Sequence, residues 1–124
     1  MEVRFFRCKK CGQMVAVLKK TGCPVVCCGE PMEEVFAGTT EASREKHIPV
    51  CEVKDNVVCV TVGSVAHPME ENHYIEWILL QTKMGNQRRV LKPGQEPKAE
   101  FALLPGDEVE AVYAYCNLHS LWKA

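Results

Sequence analysis

From residue 50 onward, short runs rich in apolar residues recur, and turn-forming residues interrupt them every ~8 to 12 residues. Residues 50–54 and 57–62 flank Asp55-Asn56, a pair suited to a tight hairpin turn. A long run rich in Ile, Tyr and Trp covers 73–82, and shorter runs cover 88–91, 100–104 and 109–116. Gly85-Asn86, Lys92-Pro93-Gly94 and Pro105-Gly106-Asp107 separate them. No segment predicts a helix. Short strands at this spacing predict a mainly β fold, a sandwich of the immunoglobulin type.

The first 36 residues read differently. Cys8 and Cys11 form a C-x2-C pair, Cys27 and Cys28 are adjacent, and Cys23 lies between the pairs. Two such pairs suit a tetrahedral thiolate site, because soft sulfur matches zinc or iron and a short knuckle lets two sulfurs share one ion. Gly29-Glu30-Pro31-Met32 predicts a turn, 33–36 a short strand, and the small polar residues 37–43 a linker. The expected domains are therefore 1–36, a metal module, and 37–124, the sandwich. A unit below ~40 residues buries too little surface to fold without staples, so the first should depend on its ion.

Composition narrows the partners. The chain has 124 residues, a formal charge of -1 and no apolar run approaching the ~18 residues of a membrane span. Phosphate binding needs a basic face, and the pairs Lys9-Lys10, Lys19-Lys20 and Arg88-Arg89 are too few, so neither nucleic acid nor membrane is an expected partner. The opening Met-Glu-Val-Arg-Phe-Phe-Arg carries no export pattern, and in a reducing compartment such a cysteine cluster is expected to be metal-bound rather than bridged.

All four histidines fall at strand edges. His47 precedes the first sandwich strand, His67 and His73 bracket Pro68-Met69-Glu70-Glu71-Asn72, and His119 lies three residues beyond Cys116. Strand ends on one side of a sandwich converge, so imidazoles carried there can meet around one ion. The C-x2-H step Cys116-Asn117-Leu118-His119 brings a thiolate and an imidazole to the same ion. Four imidazoles and one thiolate leave a sixth octahedral position open, which favours a redox metal with a reactive face. Spacing alone leaves His47 and His73 as ligands or bystanders.

These residues resemble a known family. Cys8-x2-Cys11 with Cys27-Cys28-Gly29-Glu30-Pro31-Met32, then Glu45-Lys46-His47-Ile48-Pro49, Gly63-Ser64-Val65-Ala66-His67-Pro68-Met69-Glu70, His73-Tyr74-Ile75-Glu76-Trp77 and Cys116-Asn117-Leu118-His119, are similar in order and spacing to desulfoferrodoxin, the two-iron superoxide reductase. The resemblance runs the whole chain. Ser120, where the family commonly has glycine, departs from the pattern without removing a ligand.

The resemblance implies a desulforedoxin-like N-terminal domain in which Cys8, Cys11, Cys27 and Cys28 hold a first iron. It implies a second iron held by His47, His67, His73 and His119 with Cys116 as axial sulfur. Glu45 matches the carboxylate that can close the sixth position in the ferric resting state, and Lys46 the cation beside the open face. The implied reaction is one-electron reduction of superoxide to hydrogen peroxide, with re-reduction by a donor such as rubredoxin, in a cytoplasmic homodimer. Read without the resemblance, Glu45-Lys46 is a solvated charge pair. Cys51 and Cys59 would be buried free thiols, Met69 would pack in its loop, and Trp122 would pack in the core or shield the second iron. Two other classes compete with the enzyme: a non-enzymatic iron-thiolate electron carrier, which needs no open position, and a zinc-stabilised interaction module, which does not use five converging ligands.

Overall fold

The structure is a computed structural model that describes residues 3–124. The chain divides into two compact units, Met1–Phe36 and Ala37–Ala124.

The first unit contains β1 (Arg4–Arg7), β2 (Met14–Val17), β3 (Val26–Cys27), β4 (Glu30–Pro31) and β5 (Glu33–Val35). Strands β2, β1 and β5 form an antiparallel sheet in that order, and β3 pairs with β4 in a separate hairpin. Its core is small: Phe6, Cys8 and Met32, with Val15, Val17, Val25 and Cys27 against them. The turn expected at 29–32 lies earlier. Cys27 pairs with Glu30, so the loop is Cys28-Gly29, and Glu30-Pro31 is already strand. Both loop residues have positive φ, 52° and 79°, the requirement of a type I′ hairpin turn. A cysteine therefore takes a position that the Asn-Gly preference of such turns does not reveal.

The second unit holds the one-turn helix α1 (Arg44–His47) and strands β6 (Pro49–Lys54), β7 (Val57–Val62), β8 (Ile75–Thr82), β9 (Gly85–Val90), β10 (Lys98–Ala102), β11 (Val109–Cys116) and β12 (Ser120–Lys123). A three-stranded sheet, β10-β7-β6, faces a four-stranded sheet, β12-β11-β8-β9. This is the expected mainly β sandwich. Alternation places Val58, Val60 and Val62 of β7 inward, where they meet Ile78 and Leu80 of β8, Phe101 of β10, and Val112 and Ala114 of β11. The inward row of β11 ends at Cys116, fully buried, so the core runs directly into the region of the histidines.

Three differences from the sequence reading have physical causes. Helix α1 was not expected because four residues closed by one bond, Ile48 N–H to Arg44 O at 2.9 Å, are too short to carry a period, and Pro49 stops extension. Strand β9 begins at Gly85 because the β8–β9 loop is Lys83-Met84; its polar sequence GNQRRV is strand through pairing with β8. Strand β12 folds back on β11 in a register that pairs Cys116 with Ser120. Ser120 has a φ of 64° in that tight return.

Candidate metal centres

In the first unit, the ligand atoms of Cys8, Cys11, Cys27 and Cys28 all lie within 4.8 Å of one another. The Cys8 carbonyl accepts from Gly12 N–H at 3.0 Å, and Gly12 adopts a φ of 81° to close the knuckle. Cys11 N–H approaches Cys8 Sγ at 3.5 Å and lowers that thiol to about 6. Cys11 Sγ lies 3.6 Å from Cys27 Sγ. That neighbour is the main cause that pushes the Cys27 thiol up to about 12, since crowded sulfurs resist successive ionisation. Consecutive side chains on an extended strand diverge, yet the left-handed conformation of Cys28 turns its sulfur to the same point as Cys27. Four thiols this close are accommodated by a soft cation that accepts four thiolates.

Cys23 is exposed and takes no part in this group. Cys11→Ser should remove or destabilise the first metal while the second site keeps its ion and its reactivity, because the two clusters share no residue. Iron content and the rate of oxidation by pulsed superoxide would test this. A variant that keeps the second iron but fails to react would show that the first centre is obligatory.

In the second unit, the ligand atoms of His47, His67, His73 and Cys116 lie within 4.8 Å of one another. His119 stands against this group: its Nδ1 is 3.8 Å from Cys116 Sγ, and its ring centroid is 5.0 Å from that of His47 and 5.2 Å from that of His73. Helix α1 supplies His47, the loop after β7 supplies His67, the segment before β8 supplies His73, and the β11–β12 turn supplies His119. Register explains part of the convergence. Cys116 pairs with Ile75, two residues beyond His73, so β8 and β11 bring His73 and Cys116 to the same end.

Hydrogen bonding fixes the orientation of two rings. His47 Nδ1 lies 2.6 Å from Ser43 O, and His67 Nδ1 lies 2.7 Å from Pro68 O. A carbonyl only accepts, so both Nδ1 atoms donate and both neutral rings present a lone pair at Nε2. Those two Nε2 atoms face each other at 3.1 Å. His73 Nε2 is buried with no hydrogen-bond partner among the described residues. Two acceptors in contact and a third buried nitrogen without a partner are satisfied together by a cation between them, and the outer hydrogen bonds are those that orient imidazole ligands in metal sites.

Burial is the main cause that lowers His47 below its usual range and takes His67 to about 4, so both rings stay neutral near pH 7. Burial likewise pushes the Cys116 thiol up, against the N–H groups of His119 and Leu118, which favour its thiolate. The donor set of nitrogens and one sulfur therefore fits a transition metal cation.

Glu45 and Lys46 are exposed on α1, immediately before buried His47. The Lys46 charge is felt at His47, where it contributes to disfavouring the imidazolium. Trp122, which is 2 % exposed, lies against His47 with ring centroids 4.8 Å apart, and its Nε1–H donates to His119 O at 3.0 Å. The indole thus packs beside two of the histidines, and only the fold of β12 shows it. Met69 packs on the core and its sulfur accepts from Ile75 N–H at 3.4 Å, a loop role. Cys51 is a partly buried free thiol packed on the core, where burial pushes its pKa up, whereas Cys59 departs from the expectation by occupying the outer face opposite Val58 and Val60.

Comparison with known proteins agrees with both clusters. Residues 39–124 match the family model described as desulfoferrodoxin, and residues 1–35 match that of the desulfoferrodoxin N-terminal domain. The desulfoferrodoxin of Nitratidesulfovibrio vulgaris is 49% identical over 123 residues, covering 99% of this chain and 96% of that protein. A desulfoferrodoxin homolog of Archaeoglobus fulgidus is 48% identical over 122 residues, covering 98% and 96%. The crystal structure of the superoxide reductase from Treponema pallidum superimposes with a TM-score of 0.85 at 40% identity, covering 100% of this chain and 99% of that one. The one-iron superoxide reductase of Giardia intestinalis matches 64% of this chain and 95% of its own, with a TM-score of 0.55 and 36% identity. With its two clusters and both parts of its length matched, this chain belongs to the desulfoferrodoxin family.

Proposed function

We propose that this chain is a superoxide reductase: superoxide takes one electron and two protons to become hydrogen peroxide, and a rubredoxin-like donor restores the electron. The four-cysteine and histidine-cysteine clusters match the two iron centres of the family. The observation that carries the reading is the inward-facing set of histidine nitrogens, two in acceptor contact and one without a partner, beside the buried Cys116 sulfur. Cys8, Cys11, Cys27 and Cys28 would hold the first iron, and His47, His67, His73, His119 and Cys116 the second. Iron held by these residues would supply the single electron that superoxide takes.

The remaining work falls to the chain. Ser43 O and Pro68 O hold the His47 and His67 rings in the tautomer that binds metal. Trp122 excludes water from one side of His47. Lys46 would attract superoxide and donate a hydrogen bond to the departing peroxide, and Glu45 would close the open position after product leaves. The reaction consumes an electron and evolves no oxygen, so it detoxifies superoxide only while the donor is present. A cytoplasmic homodimer is part of the same proposal.

Metal analysis and a visible spectrum of aerobically purified protein, followed by pulsed superoxide on the reduced form, test the reading. Two irons per chain, a sulfur-to-iron charge-transfer band and rapid oxidation by superoxide are expected. Colourless zinc-loaded protein would favour the interaction module, and iron-loaded protein inert to superoxide would favour the electron carrier.

A further inference from the structure

Between β7 and His67 the chain makes a compact loop, closed by His67 N–H to Val62 O at 2.9 Å and Gly63 N–H to Val65 O at 3.3 Å. One end of this loop presents His67. The other end lies against the backbone of α1, where Ser64 Oγ–H donates to Glu45 O at 3.2 Å and Val65 N–H donates to the same oxygen at 2.9 Å. Gly63 is buried between them. A Cβ at that position would lie 2.5 Å from Glu45 O, 3.0 Å from Ile48 O and 3.0 Å from the Lys46 carbonyl carbon. All three are backbone atoms, so no side-chain rotation relieves the overlap, and the loop and α1 have to move apart.

We propose that Gly63 and Ser64 are positioning residues for the second centre: they latch α1 onto the loop that carries His67 and so set the His47–His67 separation and the placement of Glu45 and Lys46. The argument is geometric. Helix α1 has one turn and no side-chain cap from Ser43, so its own hydrogen bonding fixes it poorly. His47 and His67 are 20 residues apart, yet their Nε2 atoms must meet at 3.1 Å. The β6–β7 ladder, which pairs Pro49 with Val62, brings the two segments side by side, and the contacts of Ser64 and Val65 to Glu45 O add a tie on the α1 side, where only glycine at 63 allows the close approach.

The inference rests on the superoxide reductase reading only for its kinetic consequence, so the main readout is metal retention. The full two-iron chain is challenged with a ferrous chelator and loss of the second iron is timed. Gly63→Ala should release that iron about 10- to 100-fold faster, the range seen when residues that orient metal ligands are altered. It should also shift the sulfur-to-iron band and flatten the salt dependence of the superoxide reaction, because Lys46 moves with α1, while absorption of the first centre is unchanged.

Ser64→Ala removes one of two donors to Glu45 O and should speed release about two- to fivefold, with Ser64→Thr restoring the wild-type rate. A folded Gly63→Ala chain with wild-type iron release and band position overturns the proposal. If Gly63→Ala does not fold, an unchanged release rate in Ser64→Ala does so. A wild-type chain inert to superoxide would overturn the activity reading instead, and iron release would still decide the latch.

Discussion

Replacing Cys116 with serine is expected to abolish the sulfur-to-iron charge-transfer band and lower superoxide reduction by more than about 100-fold, beyond the range for residues that merely orient ligands. Cys116 ends the inward row of β11, fully buried, and its register partner Ile75 fixes where it stands. Burial makes an isolated thiolate costly there, so the ionised sulfur requires the cation it would bind. A serine hydroxyl in the same place is a poor donor to iron and stays protonated. Cys51→Ser is the matched control: it changes a partly buried thiol of β6 in the same unit that packs on the core but belongs to neither cluster, and should leave band and rate intact. Visible absorption and pulse radiolysis read both variants, and a Cys116→Ser protein that keeps band and rate would remove Cys116 from the ligand set.

Lys46→Ala should slow the encounter with superoxide by roughly 10- to 10³-fold and flatten its ionic-strength dependence, with iron content and ferric spectrum near wild type. The Lys46 ammonium is exposed, contributes to the field at His47, and has no ion-pair partner among the described residues, so its charge is free to act on an incoming anion. Screening over a Debye length of about 10 Å at 0.1 M salt should erode the wild-type rate and leave the variant nearly flat. Glu45→Ala should do the converse, altering the ferric spectrum with little loss of encounter rate. Pulse radiolysis across a salt series separates the two, and an unchanged slope in Lys46→Ala would return that residue to an ordinary surface charge.

Local spacing carried much of this protein. The turn-bounded apolar run 57–62 specified the strand, but its buried face, with Val58, Val60 and Val62 inward and Cys59 outward, was decided by packing against the second sheet. The C-x2-C pair, the adjacent Cys27-Cys28 and the C-x2-H step named most metal donors from chemistry alone, because soft sulfur and imidazole have few other reasons to cluster. Tertiary structure decided what depends on residues far apart in the chain. It turned Cys28 into line with Cys27 through a left-handed turn, and set His47 against His67 with both Nδ1 atoms bound to carbonyls. It also laid Trp122 on His47 by way of an unexpected strand, and pressed Gly63 against a helix too short to leave a periodic trace. A spacing rule sees neighbours within a turn or a knuckle; ring tautomer, acceptor contact and backbone approach arise only when strand register brings distant segments within a few ångströms.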